Sequence, residues 1–253
     1  MRQKPPTPPD AQPSSDAPPS SDAQPSSDAQ PSPSSDSRGD ATREALILAG
    51  VELFSKNGFH GASSRALAKA AGVNQALIGY HFGGKRGLYL AVFEYIGTQI
   101  SGRLAPAAGG IHSQLQALEK EKPDREMLIG ILLALVDRAI GLFTSPETEA
   151  WAILIVREQQ NPSEAFDLLW DRFMSRLGGS LRQLVRALCG PSTSETQVRL
   201  LALTIIGQPL FFRVARETAM RLTGWEEIGP SETAEIRHRI HLNIRSILAQ
   251  EDP

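Results

Sequence analysis

Residues 63–89 decide the fold of this chain, and they read SSRALAKAAGVNQALIGYHFGGKRGLY. Two short helical patterns lie on either side of Gly72, and glycine adopts the positive φ of a tight turn at little cost. Ser63 or Ser64 can cap the first helix and Asn74 the second, because short polar side chains accept hydrogen bonds from the free N–H groups of a first turn. The stretch therefore predicts two short helices joined by a tight turn.

Side chains of suitable size recur where two such helices would pack. Ala68 is small at the point where the helices cross, so their backbones can approach closely. Ile78 is a branched apolar residue on the inner face of the second helix. A small core would be completed by Leu67, Val73 and Phe82. These positions are typical of a helix-turn-helix unit over residues 63–82.

Charge in this region is one-sided. The 41 residues from Leu53 to Phe93 contain no Asp or Glu, although residues 41–253 as a whole carry 22 acidic and 23 basic side chains. The basic residues of the stretch are Lys56, Arg65, Lys69, Lys85 and Arg86. A local positive field attracts phosphate and steers association. The stretch therefore indicates a nucleic-acid partner, even though the net charge of the chain is −2.

The rest of the body also shows helical periodicity, and no alternating strand segment is flanked by turn signals. Asp40 can cap a first helix that ends at Asn57-Gly58, and a longer helix follows from Lys85 to about Ile100. Residues 101–123, with Pro106 and Gly109-Gly110, indicate a loop or loosely helical linker. Longer helices are predicted at about 124–143, 147–160, 163–188, 195–222 and 231–249. The predicted fold class is all-α.

The quoted stretch resembles the DNA-binding domain of the TetR/AcrR family of bacterial transcriptional regulators. The match runs from about Thr42 to Ile96 and includes the skeleton A-x-x-A-G-V…Y-H-F…K-x-x-L-Y. The later segment GQPLFFRVARET…LTGW resembles the regulatory domain of CecR-like members. The resemblance implies a symmetric dimer that binds a palindromic operator and is released when a small molecule enters the C-terminal domain.

The start of the second helix is the expected site of base recognition, since in such units it lies in the major groove. Gln75 is the candidate for direct readout because an amide can pair with adenine N6 and N7. Ala76 and Leu77 can contact a thymine methyl group, whereas the capping role of Asn74 competes with a base contact. Gly79 stands where many relatives carry a tyrosine, and glycine weakens the helix by about 1 kcal/mol relative to alanine.

Phosphate contacts are expected on both sides of that helix, from Ser63, Ser64, Arg65, Tyr80, His81 and Lys85. Lys85 opens the next helix, where the backbone N–H groups and the helix dipole also favour an anion. Two alternatives remain open: Tyr80 is a core aromatic residue, and Arg65 and Lys69 are merely solvated.

Three regions divide the chain: a tail over 1–40, a DNA-binding domain over 41–100, and a C-terminal ligand-binding and dimerisation domain over 101–253. The tail holds ten of the 18 prolines and lacks any Leu, Ile, Val or aromatic residue. It cannot bury enough apolar surface to offset the entropy of ordering, so we expect it to be disordered. A phosphorylated or partner-binding arm is the alternative.

A small-molecule pocket is predicted near Pro209, which interrupts a continuous helical pattern from Val198 to Leu222 and should kink it. A kink beside aromatic and polar side chains could open a cavity. The candidate lining residues are Phe143, Trp151, Phe166, Trp170, Gln208, Phe211, Phe212 and Arg213. For any single aromatic residue, an ordinary core position is the alternative.

An apolar stripe on the last helix needs a partner. The family resemblance implies that the last long helices of two protomers, here 195–215 and 233–248, pack into a four-helix bundle. The predicted interface residues are Leu201, Ile205, Ile236, Ile240, Ile244 and Ile247. Packing of the same stripe within one chain is the alternative.

Several other classes of protein are disfavoured. A single cysteine, Cys189, cannot form an internal disulfide or a cysteine-based zinc module. Glu235, His238 and His241 make one E-x-x-H-x-x-H motif, whereas di-iron bundles need two such units, so no metal or cofactor is expected. The apolar run from Met127 to Val136 is too short to cross a bilayer, and no signal-peptide pattern is present. These features favour a soluble cytoplasmic protein.

No catalytic triad, phosphate loop or nucleotide-binding fingerprint is present. The sequence therefore predicts a homodimeric DNA-binding regulator that is not an enzyme, most simply a repressor released by a small-molecule effector. An activator is equally compatible with these residues. The alternative from another class is an all-helical ligand-binding protein or enzyme whose head no longer binds DNA.

Overall fold

The computed structural model describes residues 35–117 and 124–250, and within these ranges every regular element is a helix. The all-α prediction is confirmed. Residues 1–34 of the predicted tail, and residues 118–123, lie outside the described ranges. The helices are α1 (Ser35–Gly61), α2 (Ser64–Ala70), α3 (Ala76–Phe82), α4 (Lys85–Ala117), α5 (Arg125–Thr144), α6 (Glu149–Gln160), α7 (Glu164–Leu169), α8 (Ser175–Leu188), α9 (Glu195–Val214), α10 (Arg216–Thr223) and α11 (Pro230–Gln250).

The first helix begins earlier than its sequence suggests. Residues 35–40, assigned to the tail by composition, are helical, so Asp40 lies inside α1 and not at its N-cap. The hydroxyl of Thr42 donates to the Arg38 carbonyl at 2.8 Å, as expected within a continuous helix. The predicted end of the helix is visible as a break, because Gly58 leaves helical geometry with φ 70° and ψ 174°.

The helix-turn-helix head has the small core that the sequence predicts. Leu67, Ala68 and Ile78 are buried, and Val73 and Phe82 pack against them while remaining partly exposed. The first and fourth helices complete this core with Leu46, Phe54, Leu88, Val92, Phe93 and Ile96. The short helices α2 and α3 are therefore held by packing rather than by their own length, since seven-residue helices are unstable alone.

The fourth helix is longer than predicted. It runs from Lys85 to Ala117, so residues 101–117 of the segment predicted as a loop or loosely helical linker are helical. Pro106 lacks the N–H that would bond to the Gly102 carbonyl, yet the helix continues through it. A single proline therefore did not end the helix here, and α4 extends from the head deep into the C-terminal domain.

The C-terminal domain is built around α5. This helix packs against α4, α8, α9 and α11. It is long and apolar enough to cross a membrane by length and composition, but ten of its 20 residues are buried inside the chain. Its apolar character is thus that of a central core helix.

Two predicted long helices are interrupted at unexpected places. The helix predicted over 163–188 is divided into α7 and α8 by a π-helical turn at Trp170–Met174. The helix predicted over 195–222 continues past Pro209, which is buried, and bends by 85° at Ala215. Pro209 removes the bond to the Ile205 carbonyl without ending the helix, whereas Ala215 adopts non-helical angles of φ −114° and ψ 37°.

Candidate DNA-binding interface

The turn between α2 and α3 is held by the polar side chains predicted as caps. Ser63 Oγ accepts a hydrogen bond of 3.1 Å from the Ala66 N–H. Asn74 Oδ1 accepts one of 2.8 Å from the Ala76 N–H. Between them Gly72 has φ 68°, the left-handed conformation that its lack of a Cβ permits. The predicted caps and turn are confirmed, with Ser63 as the first cap.

One face of α3 is open to solvent. Gln75, Ala76, Gly79 and Tyr80 are exposed, and Tyr80 retains 82% of its accessible surface. Tyr80 is therefore not a core residue. A cleft of about 320 Å³ lies beside this face and is lined by Ser64, Gln75, Ala76, Ile78, Gly79 and Gly84. The candidate readout residues thus lie on an open surface of α3, as is required of a helix that enters a DNA groove.

Two of the predicted contact residues are less available. Leu77 is half-buried and packs against the core of the head, so a contact with a thymine methyl group competes with its packing role. His81 is also half-buried, and its ring lies edge-on to Tyr80 with centroids 4.9 Å apart. The open part of α3 is therefore its start and the Tyr80 side chain.

The ammonium group of Lys85 has a partner within the protein. Its Nζ donates to the Phe59 carbonyl at 3.0 Å and lies 4.5 Å from the centroid of the Phe59 ring. The lysine thereby ties the start of α4 to the end of α1. Its role as a phosphate ligand stays a prediction, and two of its three N–H donors remain for one.

The acid-free stretch of sequence is not free of acids in space. Arg86 makes a two-pronged ion pair with Glu164 of α7, through both its Nε and its Nη2. Lys56 pairs with Glu52 at 2.7 Å. The exposed basic side chains on α2 are Arg65 and Lys69. Lys56 and Arg86 are therefore paired with carboxylates, whereas Arg65, Lys69 and Lys85 have no carboxylate partner among the described residues, and this refines the charge argument made from the sequence.

The predicted effector residues do not surround one cavity. Phe143 and Trp151 join the core that extends from the head, whereas Phe166 and Trp170 stack on each other with centroids 6.5 Å apart. Phe211 is exposed, and Phe212 packs against the buried core around α5. Gln208 accepts from Asn243, and buried Arg213 donates to the Ser145 carbonyl and, at 2.9 Å, to the Thr148 hydroxyl. These side chains therefore lie in several different environments, Pro209 lies within the continuous helix α9, and the pocket expected there stays a prediction.

A different cleft lies between α4 and α5. It has a volume of about 350 Å³ and is lined by Gly102, Arg103, Arg138, Gly141, Leu142 and Ser145. Sequence reasoning missed these residues. Their shared signal is an arginine close to a glycine on each helix: Arg103 follows Gly102, and Arg138 lies three residues before Gly141. Only the fold shows that these two helices pack together.

The predicted dimer residues are largely internal. Ile205, Ile236, Ile240 and Ile244 are buried in the core of their own chain, while Leu201 and Ile247 are half-buried. A side chain already covered in the monomer cannot supply interface area. The assignment of the four buried isoleucines is thus corrected in favour of packing within one chain, because α9 and α11 both pack against α5. Leu201 and Ile247 stay predictions.

The head has two short capped helices, α2 and α3, and α3 is open to solvent. With a helical domain behind it, this arrangement is that of a helix-turn-helix DNA-binding regulator. Family models agree with this class along the chain. Residues 46–92 match the model described as bacterial regulatory proteins of the tetR family. Residues 128–250 match the model for the C-terminal domain of the HTH-type transcriptional dual regulator CecR.

Individual relatives extend the similarity. CecR of Shigella flexneri is 30% identical over 216 residues, which cover 85% of this chain and 95% of that protein. The regulatory protein RaaS of Mycobacterium tuberculosis is 29% identical over 66% of this chain and 69% of its own length. A transcriptional regulator of Rhodococcus sp. RHA1 has the same fold, with a TM-score of 0.58 at 16% identity over 83% of this chain and 98% of that one. The chain belongs to the TetR family of bacterial transcriptional regulators and is a DNA-binding transcription regulator.

Proposed function

We propose that the protein is a homodimeric repressor that binds a palindromic operator and is released by a small molecule. The open face at the start of α3, with Gln75 at its exposed N-terminal end, is the observation that carries the DNA-binding part. Two such heads would have to match half-sites about 34–36 Å apart. The protein would act in the bacterial cytoplasm, and its role is regulatory rather than enzymatic.

The residues around α3 divide into two roles. Gln75 reads a base edge, with Ala76 beside it small enough to accept a thymine methyl group. Ser64 and Arg65 at the start of α2, together with Tyr80 at the far end of α3, hold phosphates and set the register without reading sequence. Base contacts therefore determine which operator is chosen, and phosphate contacts determine much of the affinity.

A second copy of the chain fits the exposed apolar stripe of α9. Five large apolar side chains recur there at helical spacing and remain open in the monomer: Leu200, Leu203, Leu210, Phe211 and Val214. Leu242 of α11 extends the patch, and Asn243 Nδ2 donates to Gln208 Oε1 at 3.1 Å where the two helices meet. An exposed apolar surface of this extent is typical of an interface. We therefore move the predicted four-helix dimer contact to these residues of the same two helices.

The head is joined to the C-terminal domain by polar contacts that could carry a signal. Arg157, near the end of α6, donates to the Phe54 carbonyl at 2.7 Å. Glu164 of α7 pairs with Arg86, and α4 runs without a break from one domain to the other. A shift in the position of α4 or α6 within the effector domain would therefore move the head and alter the spacing between the α3 helices of the two protomers.

Selection of bound duplexes from a random DNA pool tests the proposal directly. The full chain is expected to recover a palindrome, and Gln75→Ala is expected to relax one position in each half-site, at a cost of about 1–3 kcal/mol per lost bidentate contact. Gln159→Ala, which changes an exposed glutamine of α6, is the matched control. Recovery of no common sequence by the full chain would count against a functional head.

The rival is a helical ligand-binding protein whose head no longer binds DNA, and salt dependence separates it from a regulator. A true operator complex loses affinity steeply as salt rises, in proportion to the phosphates contacted. Activation is the second candidate, favoured by the similarity to CecR, which is named a dual regulator. Transcription in vitro from a template carrying the recovered operator distinguishes activation from repression.

A further inference from the structure

The cleft between α4 and α5 combines an open volume with two guanidinium groups. We propose that it is the effector site and that its ligand is a small organic acid, whose carboxylate lies between Arg103 and Arg138. The inference rests on the proposed function and names the chemical class of the effector. It differs from the pocket expected at Pro209 both in position and in chemistry.

The shape of the cleft suits a small molecule. Its volume of about 350 Å³ falls at the lower end of the roughly 300–1,000 Å³ common for ligand sites. Gly102 and Gly141 leave it open, because a Cβ built on either residue would meet no atom within 4 Å. The buried side chain of Leu142 also lines the cleft.

The charge of the cleft is positive. Arg103 pairs with Glu147 at 3.1 Å, and Glu147 is largely exposed. Arg138 donates through Nη1 to the Arg103 carbonyl at 3.3 Å, and within the part of the chain whose side chains the structure describes no carboxylate pairs with it. The Arg103 guanidinium also lies over the Trp151 ring, with its Cζ 4.9 Å from the ring centroid, so Glu147 is the carboxylate that pairs with Arg103, and it does not pair with Arg138. Planar, bidentate recognition of a carboxylate is the chemistry for which arginine is best suited.

The arginines are not needed to cap α5. Its terminal carbonyls have other donors: Gly141 O accepts from the Ser145 N–H, and Leu142 O accepts from the Thr148 hydroxyl at 2.6 Å. The Ser145 carbonyl accepts from Arg213. Arg103 and Arg138 are therefore not used to cap α5, and those of their N–H groups that make no hydrogen bond within the chain can bind a ligand.

A third guanidinium adds to the positive field behind Ser145. Arg213 is 8% exposed, and its Nε has no hydrogen-bond partner among the described residues. Burial, and then the neighbouring charge of Arg216, lower the pKa of Arg213. The charge of Glu149 acts in the opposite direction and offsets part of this effect; a further anion nearby would stabilise the guanidinium, since a poorly compensated buried charge is costly.

The cleft is placed where occupancy can reach the head. Gly102 and Arg103 belong to α4, whose other end starts beside the recognition helix. Ser145 precedes the 3-10 turn that leads into α6, and the far end of α6 contacts the head through Arg157. A ligand that draws Arg103 and Arg138 together changes the packing of α4 on α5. Effector and operator would then oppose each other reciprocally.

The test uses the full chain and paired probes: linear and aromatic carboxylic acids, each compared with its own primary amide. Thermal melting measures binding, and fluorescence anisotropy with the recovered operator measures release. At least one carboxylate is expected to raise Tm more than its amide and to weaken operator binding by about 5- to 150-fold, the usual range of allosteric coupling. Arg138→Gln and the cleft-filling Gly141→Leu should abolish both effects.

Matched controls lie outside the cleft. Gly130→Leu adds the same side chain to another open glycine of α5, and Arg239→Gln removes an exposed arginine of α11; both should leave the effects intact.

No discrimination between acids and amides, or a response that survives in Gly141→Leu, would overturn the assignment. Binding in the cleft without loss of operator affinity would also overturn it while leaving the DNA-binding function standing. Failure of the apo protein to bind any operator would instead refute the proposed function.

Discussion

Tyr89 of the DNA-binding head donates a hydrogen bond of 2.8 Å to Glu158 at the end of α6. The Glu158 carboxylate is 5% exposed, and its other oxygen accepts from the N–H and the hydroxyl of Ser163, at 2.9 and 2.8 Å. Burial first, and then the adjacent carboxylate, raise the pKa of Tyr89. The phenol therefore stays protonated and remains a donor at physiological pH, so this bond joins the two domains under all ordinary conditions.

Loss of that donor should destabilise the protein. Tyr89→Phe keeps the ring and its packing but leaves a buried carboxylate with one partner fewer, which costs about 1–3 kcal/mol. Urea unfolding followed by circular dichroism measures the free energy of unfolding. Tyr80→Phe removes the same hydroxyl from a largely exposed side chain and should leave the midpoint unchanged. Equal midpoints for Tyr89→Phe and the unmodified chain would show that the bond does not contribute.

The two arginines near the recognition unit should differ in their effect on salt dependence. Arg65 is exposed on α2, whereas Arg86 is committed to Glu164. Arg65→Ala should weaken operator binding and reduce the slope of log Kd against log salt by about one, as expected for one lost phosphate contact. Arg86→Ala should leave the slope unchanged. Anisotropy titrations over a salt series measure both, and identical slopes for the two variants would contradict this division of roles.

Alanine should stabilise the recognition helix at Gly79. A Cβ there meets nothing within 4 Å, and alanine is better than glycine in a helix by about 1 kcal/mol. The Tm of Gly79→Ala should therefore rise. Gly87→Ala is the contrasting variant, because its Cβ would collide with the Phe82 carbonyl oxygen and should lower stability by about 1–3 kcal/mol. A fall in Tm for Gly79→Ala would mean that the face of α3 is more crowded than it is in this structure.

A charge in the exposed stripe of α9 should separate the protomers. Leu203 is 65% exposed at the middle of that stripe, so Leu203→Asp would bury a carboxylate in the proposed interface, at a cost no dimer of moderate affinity could offset. Light scattering after size exclusion should show a monomer with weakened operator binding. Leu222→Asp changes an even more exposed leucine, at 80%, on α10 outside the stripe and should remain dimeric. A dimeric Leu203→Asp protein would place the interface elsewhere.

Local chemistry in the sequence was enough to predict the recognition unit. Ser63, Gly72 and Asn74 act on backbone groups within a few residues of themselves, so caps and turn follow from residue type and spacing. The small core around Ile78 follows in the same way from helical periodicity. These features depend on contacts made close along the chain, and each was found where the sequence predicts it.

Longer-range partners could not be predicted in this way. Lys85 contacts Phe59, 26 residues earlier, and Arg86 pairs with Glu164, 78 residues later. A list of charges cannot say which of them are neutralised, and the acid-free stretch therefore overstated the positive charge at the head. Likewise, Pro106 and Pro209 end no helix because the cost of one lost hydrogen bond can be offset by packing along the rest of the helix.

Apolar stripes show the same division. The isoleucines of α11 follow from the sequence as a buried face, since a stripe at helical spacing requires a partner. Whether that partner is α5 of the same chain or a second copy is a question of tertiary packing, and the structure places α5 against it. The order of helices, the turn chemistry and the helical class are thus readable from residues alone. The identity of each contact across the core, and the cleft between α4 and α5, depend on which faces meet, and this is determined only when the whole chain packs.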